Sequence, residues 1–194
     1  MRGLVVAVLL AAAPSAKQLE GVWSSEGGCE SAPDGQGGTM HFRRTFTFDK
    51  AGWKIDFSTY GDAQCSSAAQ MVSVEIDGAY KVLGPSKNAL GANEAVFGFA
   101  HRKATAKSDG AAGWLNSVKA CGLSDWKAGQ ARDIDQSGCP QLGALPKAQC
   151  PNGEYDLLKL DGDKLFFGDR GDGNLCSEAK RPKQLGKVAV VKQH

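Results

Sequence analysis

The chain has 194 residues, and at this size folding hides about 70% of the unfolded surface, so a hydrophobic core forms without a metal to support it. With 23 Lys and Arg against 21 Asp and Glu, the formal net charge is +2. The basic residues, Arg43 with Arg44 and the run 180–183 included, make no dense stripe, which argues against nucleic acid as a partner.

Arg2, the apolar run 4–13 and the small residues Ala13, Ser15 and Ala16 follow the order of a secretory signal peptide. Cleavage is expected near Ser15 or Ala16, which assigns 1–16 to a signal and 17–194 to a single secreted or periplasmic domain. The apolar run is shorter than the roughly 18 residues a spanning helix needs, and no later stretch is longer, so no integral membrane anchor is expected.

Residues 19–25 read as a first strand, with Leu19, Gly21 and Trp23 on alternate positions, and the Gly-, Ser-, Asp- and Pro-rich stretch 27–38 reads as a loop. The clearest signal follows. Phe42, Arg44, Phe46 and Phe48 share one face of a period-2 strand, and His41, Arg43, Thr45 and Thr47 share the other. Asp49-Lys50-Ala51-Gly52 makes a turn, after which Trp53, Ile55 and Phe57 alternate in the same way, so this segment is a β-hairpin. Residues 70–82 repeat the pattern with Val72, Val74 and Ile76 on one face, and Asp77-Gly78 marks a turn or bulge. Residues 94–102 place Ala95, Phe97 and Phe99 together.

The three/four spacing of Ala111, Trp114, Leu115 and Val118 predicts a helix over 107–119, capped by Ser108 or Asp109. Residues 126–134 read as a strand. Residues 154–168 form a second hairpin around Asp161-Gly162, because Asp-Gly between apolar runs is a strong hairpin cue. Residues 188–191 supply a closing strand. Many short strands and one helix predict a mainly β fold, an antiparallel barrel or strongly curved sheet.

Six cysteines, Cys29, Cys65, Cys121, Cys139, Cys150 and Cys176, all follow the signal segment. An even count in an exported chain reads as three disulfides, and many pairings are open to six cysteines. Cys29–Cys65, Cys121–Cys139 and Cys150–Cys176 are favoured because each closes a loop between separate strand candidates. Paired Cys-x-x-Cys or Cys/His spacing is absent, and His41, His101 and His194 are isolated, so neither zinc nor any other cofactor is expected.

Catalytic signatures are weak. A serine nucleophile is expected on a Gly-x-Ser-x-Gly elbow with a histidine base, and this sequence has no such elbow. The carboxylate pairs Asp133 with Asp135 and Asp161 with Asp163 sit beside turn residues, where aspartate is favoured for the backbone. The oxygen-rich stretch 168–174 lacks the order of an EF-hand loop, and its Arg170-Gly171-Asp172 tripeptide has the composition of an exposed turn.

The aromatic strand faces remain. Phe42, Phe46, Phe48, Trp53, Ile55 and Phe57, joined by Val72, Val74, Phe97 and Phe99, make one wall of the curved sheet. They either fill its core or line a pocket for an apolar ligand. Both readings are open at this point.

Order along the chain adds a family resemblance. Leu19-Glu20-Gly21-Val22-Trp23, Cys29-Glu30, Arg43-Arg44-Thr45-Phe46-Thr47-Phe48 and Cys65 come first. The stretch 74–82 with Gly78, Gly91-Ala92-Asn93-Glu94-Ala95, Leu115-Asn116, Cys121, Trp126, Cys139 and Leu165-Phe166-Phe167-Gly168-Asp169 complete it. Taken together, the sequence resembles the domain of the adenomatosis polyposis coli down-regulated family, over nearly all of 17–194. The resemblance implies an antiparallel sheet curled into a barrel-like lobe with a hydrophobic interior, and the pairs Cys29–Cys65 and Cys121–Cys139. It also implies extracellular binding, the animal members' partner being the lipid-modified protein Wnt. One copy of the domain is read here, against two copies and a membrane anchor in the animal members. Gly21-Val22-Trp23 also resembles the Gly-x-Trp signature of lipocalins, but those place their main helix after the eighth strand, not in mid-chain.

A non-catalytic binding module for an apolar small molecule or a lipid-bearing partner is therefore the leading expectation. An extracytoplasmic hydrolase and a protein-interaction module with a filled core are the alternatives.

Overall fold

The computed structural model of the protein describes residues 13–34, 37–171 and 173–194. Residues 1–12 of the expected signal segment, and Asp172 of the Arg170-Gly171-Asp172 tripeptide, lie outside the described residues. The fold is mainly β: one antiparallel sheet curls strongly into a half-barrel.

Its strands are β1 (Gly21–Ser25), β2 (Glu30–Pro33), β3 (Thr39–Phe48), β4 (Trp53–Tyr60), β5 (Gln70–Gly78) and β6 (Tyr80–Pro85), then β7 (Asn93–Phe97), β8 (His101–Ala106), β9 (Ala131–Asp133), β10 (Glu154–Asp161), β11 (Lys164–Phe167) and β12 (Val190–Lys192). The helices among the described residues are α1 (Ala16–Leu19) and α2 (Asp109–Ser117), besides short 3-10 turns. The spatial order is β6-β7-β10-β11-β12-β1-β3-β4-β5-β8-β9, and β2 pairs with the first half of β3 on the edge that β1 uses further along.

The central hairpin forms where the period-2 pattern predicts it. Asp49 Oδ1 accepts from the amides of Ala51 and Gly52 at 2.7 and 3.0 Å, so one carboxylate fixes the β3–β4 turn. The Asp161-Gly162 hairpin joins β10 to β11, with Gly162 at φ +58°. In α2, Ser108 caps the Ala111 amide as expected, and the helix is shorter than the 107–119 window.

Four expected elements differ. Leu19 belongs to a helical turn, not to the first strand: Ser15 and Gln18 form a capping box, and the Trp23 Nε1–H donates to the Leu19 carbonyl at 2.7 Å. The loop 27–38 contains β2, whose Glu30 is held by Ser25 and Arg44 in spite of a turn-like composition. In the strand expected over 126–134, only Ala131–Asp133 pairs, because Trp126 is buried beside α2 with its backbone amide on Asn116 Oδ1. The run 94–102 spans two strands, β7 and β8, bent at a corner, opposite the place where 70–82 passes from β5 into β6 at the turn or bulge expected at Asp77-Gly78.

That corner shapes the interior. β5 pairs with β8 and β6 pairs with β7, and the ladder continues through the bend by Gly98 N–H to the Ala79 carbonyl and Ala100 N–H to the Asp77 carbonyl, each 2.8 Å. The two ends of the sheet order are thus joined at one corner and diverge away from it. Gly78 makes the approach feasible, since a Cβ there would collide with the Gly98 carbonyl oxygen.

The core has two main parts. Trp23, Phe46, Phe48, Trp53, Phe97, Leu158, Leu165 and Phe167 pack together with Tyr80 and Val82 on the concave face. Further along β5 and β8, Ala111, Ala112 and Leu115 of α2 cover Val72, Ala104 and Ala106. The small alanines let the helix approach the sheet closely.

All six cysteines are bonded, as Cys29–Cys65, Cys121–Cys139 and Cys150–Cys176, the pairs favoured by loop closure. Three disulfides suit an oxidising, extracytoplasmic environment. Among the described residues, no helix is long and apolar enough to cross a membrane.

Candidate binding site

Strand register places side chains in rows across the concave face. One row runs Phe46, Ile55, Ile76, Arg102, and the next runs Arg44, Phe57, Val74, Ala104. Beyond them lies Phe42, Thr59, Val72, Ala106, and at the corner Phe48 faces Trp53. On the opposite wall Phe97, Ala95, Glu154, Asp156 and Phe167 point inward from β7, β10 and β11.

These walls enclose a cavity of about 590 Å³, within the usual size range of small-molecule sites. Phe42, Phe46, Trp53, Ile55, Phe57, Val74, Phe97 and Phe99 line it, together with Ile76 and Phe167. Phe46 stacks on Phe167 at 4.3 Å between centroids, Trp53 meets Phe97 edge-on at 4.9 Å, and Phe42 stacks on Phe57 at 5.2 Å. Phe42, Ile55, Phe57, Ile76 and Phe99 point inward yet are only half-buried. Among the described residues, nothing covers their inner surfaces completely.

Two expected pocket residues sit elsewhere. Phe48 is buried in the packed corner against Tyr80 (5.1 Å) and Phe97 (6.4 Å), and does not line the cavity. Val72 is on the correct face but is covered by α2. Alternation assigns a face; it does not say how far along the strand the void extends.

Three segments complete the cavity wall: 142–145, 168–171 with Gly173, and 186–188. Arg102 roots the first of these. Its side chain is only 1% exposed, so its charge has to be neutralised within the protein. Nη1 donates to the Leu145 carbonyl at 2.7 Å, Nη2 donates to the Asp135 carbonyl, Nε lies 3.4 Å from Asp135 Oδ1, and the guanidinium sits 5.0 Å over the Phe99 ring. Burial opposes ionisation of Asp135, but Lys147 at 2.9 Å and Arg102 outweigh it and hold its carboxyl below the usual carboxylate range. The Cys121–Cys139 disulfide anchors the same segment.

Polar groups gather where the segments meet the strands. Arg44 forms a two-pronged pair with Glu30, at 2.7 and 2.8 Å. Arg170 donates to Glu154 at 2.6 Å, and its Nη1 lies 4.0 Å from Asp156. Asp156 is fully enclosed, and burial pushes its carboxyl up to about 6 although Arg170 and the Leu157 and Gly168 amides favour the anion. The Cys150–Cys176 bridge borders the same side of the cavity.

Sequence reasoning found most of the apolar lining and missed the polar rim. Arg44 carried a readable signal, since it interrupts the run Phe42, Arg44, Phe46 on a single face. Asp156 shares the parity of Leu158, but a lone aspartate in a strand gives no sign of burial. The carboxylate pairs Asp133 with Asp135 and Asp161 with Asp163 are not part of one site: Asp135 belongs to the Arg102 anchor, and Asp161 and Asp163 flank a hairpin turn. Among the described residues, no group of three or more His, Cys, Asp or Glu side chains is arranged to hold a metal ion. In comparisons with known proteins, no family model matches the chain and no curated protein matches it in sequence.

Proposed function

We propose that this chain is an exported, secreted or periplasmic, non-catalytic binding module that takes an apolar or lipid-bearing ligand into the half-barrel. The observation that carries this reading is the set of inward-facing apolar side chains left half-buried around a cavity of about 590 Å³. A buried apolar face normally packs to crystal-like density, so an incompletely covered aromatic lining is a surface for another molecule. The Cys121–Cys139 and Cys150–Cys176 bridges brace segments that border the cavity, and the three disulfides suit an extracytoplasmic location. The resemblance to the adenomatosis polyposis coli down-regulated family points the same way, towards a lipid chain as the ligand.

Titration with a neutral naphthylamine dye tests the reading. Saturable one-to-one binding with a blue-shifted emission is expected from the native protein. Ile55→Trp, which projects a larger ring into the void, is expected to abolish it while the protein stays folded. Absence of saturable binding to the folded native protein overturns the proposal.

A further inference from the structure

Resting on that reading of the cavity, we propose that its ligand is a neutral amphiphile whose head is a hydroxyl. This hydroxyl sits between Asp156 and Arg170, donating to the carboxylate and accepting from the guanidinium. A gap in the hydrogen bonding of the cavity wall carries the inference. The Asp156 side chain is only 3% exposed and borders the cavity. Its Oδ1 accepts from the amides of Leu157 and Gly168 at 2.7 and 2.9 Å. Its Oδ2 has no hydrogen bond among the described residues, because Arg170 Nη1 stands 4.0 Å away, beyond hydrogen-bond range. Arg170 gives Nη2 to Glu154 Oε1 at 2.6 Å and leaves Nη1 without an acceptor.

The spacing selects the chemistry. A single oxygen fits between the two groups at about 2.8 Å from each. It has to donate towards Asp156 and accept from Arg170, and a hydroxyl does both with one atom. A carboxylate head accepts only, and it brings negative charge beside Asp156 and Glu154, whose Oε2 is likewise without a hydrogen bond among the described residues. An ammonium head donates only, and it meets Arg170 as a like charge. An ether accepts from Arg170 but leaves Asp156 Oδ2 unpaired, and an unpaired buried acceptor is costly.

The fold keeps this point open. Across β7 the partner of Asp156 is Ala95, whose side chain is too short to cover it. On the other side lies Gly168, where a Cβ would stand 2.6 Å from Asp156 Oδ1. Phe167, next to Gly168 in the chain, stacks on Phe46 at 4.3 Å, so the apolar lining begins beside the pair. At about 30 Å³ per liquid-like heavy atom, the cavity of about 590 Å³ holds about 20 non-hydrogen atoms, room for a long-chain alcohol.

Competition against the naphthylamine dye, using the folded, disulfide-bonded protein at about pH 7.5, tests this with Asp156 ionised, since it titrates at about 6. Four probes of dodecyl length are compared: dodecanol, dodecyl methyl ether, laurate and dodecylamine. Dodecanol is expected to bind about 10-fold tighter than the ether. A purely apolar cavity takes the more hydrophobic ether at least as well. Asp156→Asn puts a donor in place of Oδ2 and is expected to lower the preference for dodecanol over laurate by about 10-fold. Arg170→Leu removes the facing cation and is expected to lower the preference for dodecanol over dodecylamine by a similar factor. Ether binding as tight as dodecanol means that water alone occupies the gap; this result, or tightest binding of laurate or dodecylamine, overturns the hydroxyl inference and leaves the apolar cavity standing. Variants that leave the preferences unchanged, or weaken every probe equally, also overturn it. Failure of all four probes to bind the native protein overturns both readings.

Discussion

The concave face of the half-barrel contains two regions built from the same strands and packed in opposite ways. At the corner where β5 turns into β6, Phe48, Trp53, Tyr80 and Phe97 interlock, and Phe48 and Phe97 are almost wholly buried. A few residues away along β3 and β4, Phe42, Ile55 and Phe57 face the same way and are only half-covered. Composition does not separate them, since both regions are aromatic and aliphatic. Sheet curvature does. The bent ribbon of β5–β6 and β7–β8 draws the walls together at Gly78, and the walls diverge with distance from it. Close packing is concentrated at the corner, and the cavity lies where the walls are apart.

Mutations separate the two regions by size of effect. Phe48→Ala removes a ring from the packed corner and is expected to lower unfolding free energy by about 3–5 kcal/mol in chemical denaturation. Phe57→Ala, on the hollow side, is expected to cost only about 1 kcal/mol, because its ring already faces a void and gives up chiefly the stack on Phe42. Equal costs at the two positions contradict the division.

Arg102→Met comes next. It leaves Asp135 without its buried guanidinium partner and frees the carbonyls of Asp135 and Leu145, so a loss of about 3 kcal/mol is expected. Segment 142–145 borders the cavity, and hydrogen exchange is expected to quicken there more than at the corner. A uniform change across both regions counts against the anchoring role.

Asp156 sharpens the comparison through pH. Its native carboxyl titrates at about 6, above its ordinary 3.8. Between those values the folded protein keeps a proton that the unfolded chain has released, so this group's contribution to stability falls as pH rises from about 4 to 6 and is level above. The full change is roughly 3 kcal/mol for a shift of this size. Asp156→Asn keeps the side-chain oxygen that accepts from Leu157 and Gly168 and cannot ionise. Its stability relative to the native protein is expected to rise across that window, as read by urea denaturation at several pH values. A difference that is independent of pH refutes the burial effect at this site.

The sequence made the sheet legible where local chemistry and tertiary structure agree. The β3–β4 hairpin has period-2 aromatics and an aspartate turn, and β10–β11 has Asp-Gly between apolar runs. β2 was hidden because its Glu-Ser-Ala-Pro composition reads as loop; Arg44 and the Cys29–Cys65 bridge, distant in sequence, hold it in place. The corner was only half legible: Asp77-Gly78 marked a turn or bulge in 70–82, but 94–102 looked like a single straight element because a bend within a continuous strand preserves alternation. The apolar lining followed from parity along β3, β4 and β5. Parity carries no depth, so Phe48 and Val72 were placed in the pocket when the corner and α2 bury them. The rim of Glu154, Asp156 and Arg170 is drawn from strand and loop residues that converge only through the fold.

The central claim is that the interior is hollow in order to hold a ligand, and native mass spectrometry of the folded, disulfide-bonded protein tests it most directly. The account predicts a one-to-one adduct of a few hundred daltons, removed by organic extraction, regained on adding back a long-chain amphiphile, and excluded by Ile55→Trp. A native protein that is extracted, correctly folded and unable to take up any such molecule contradicts it.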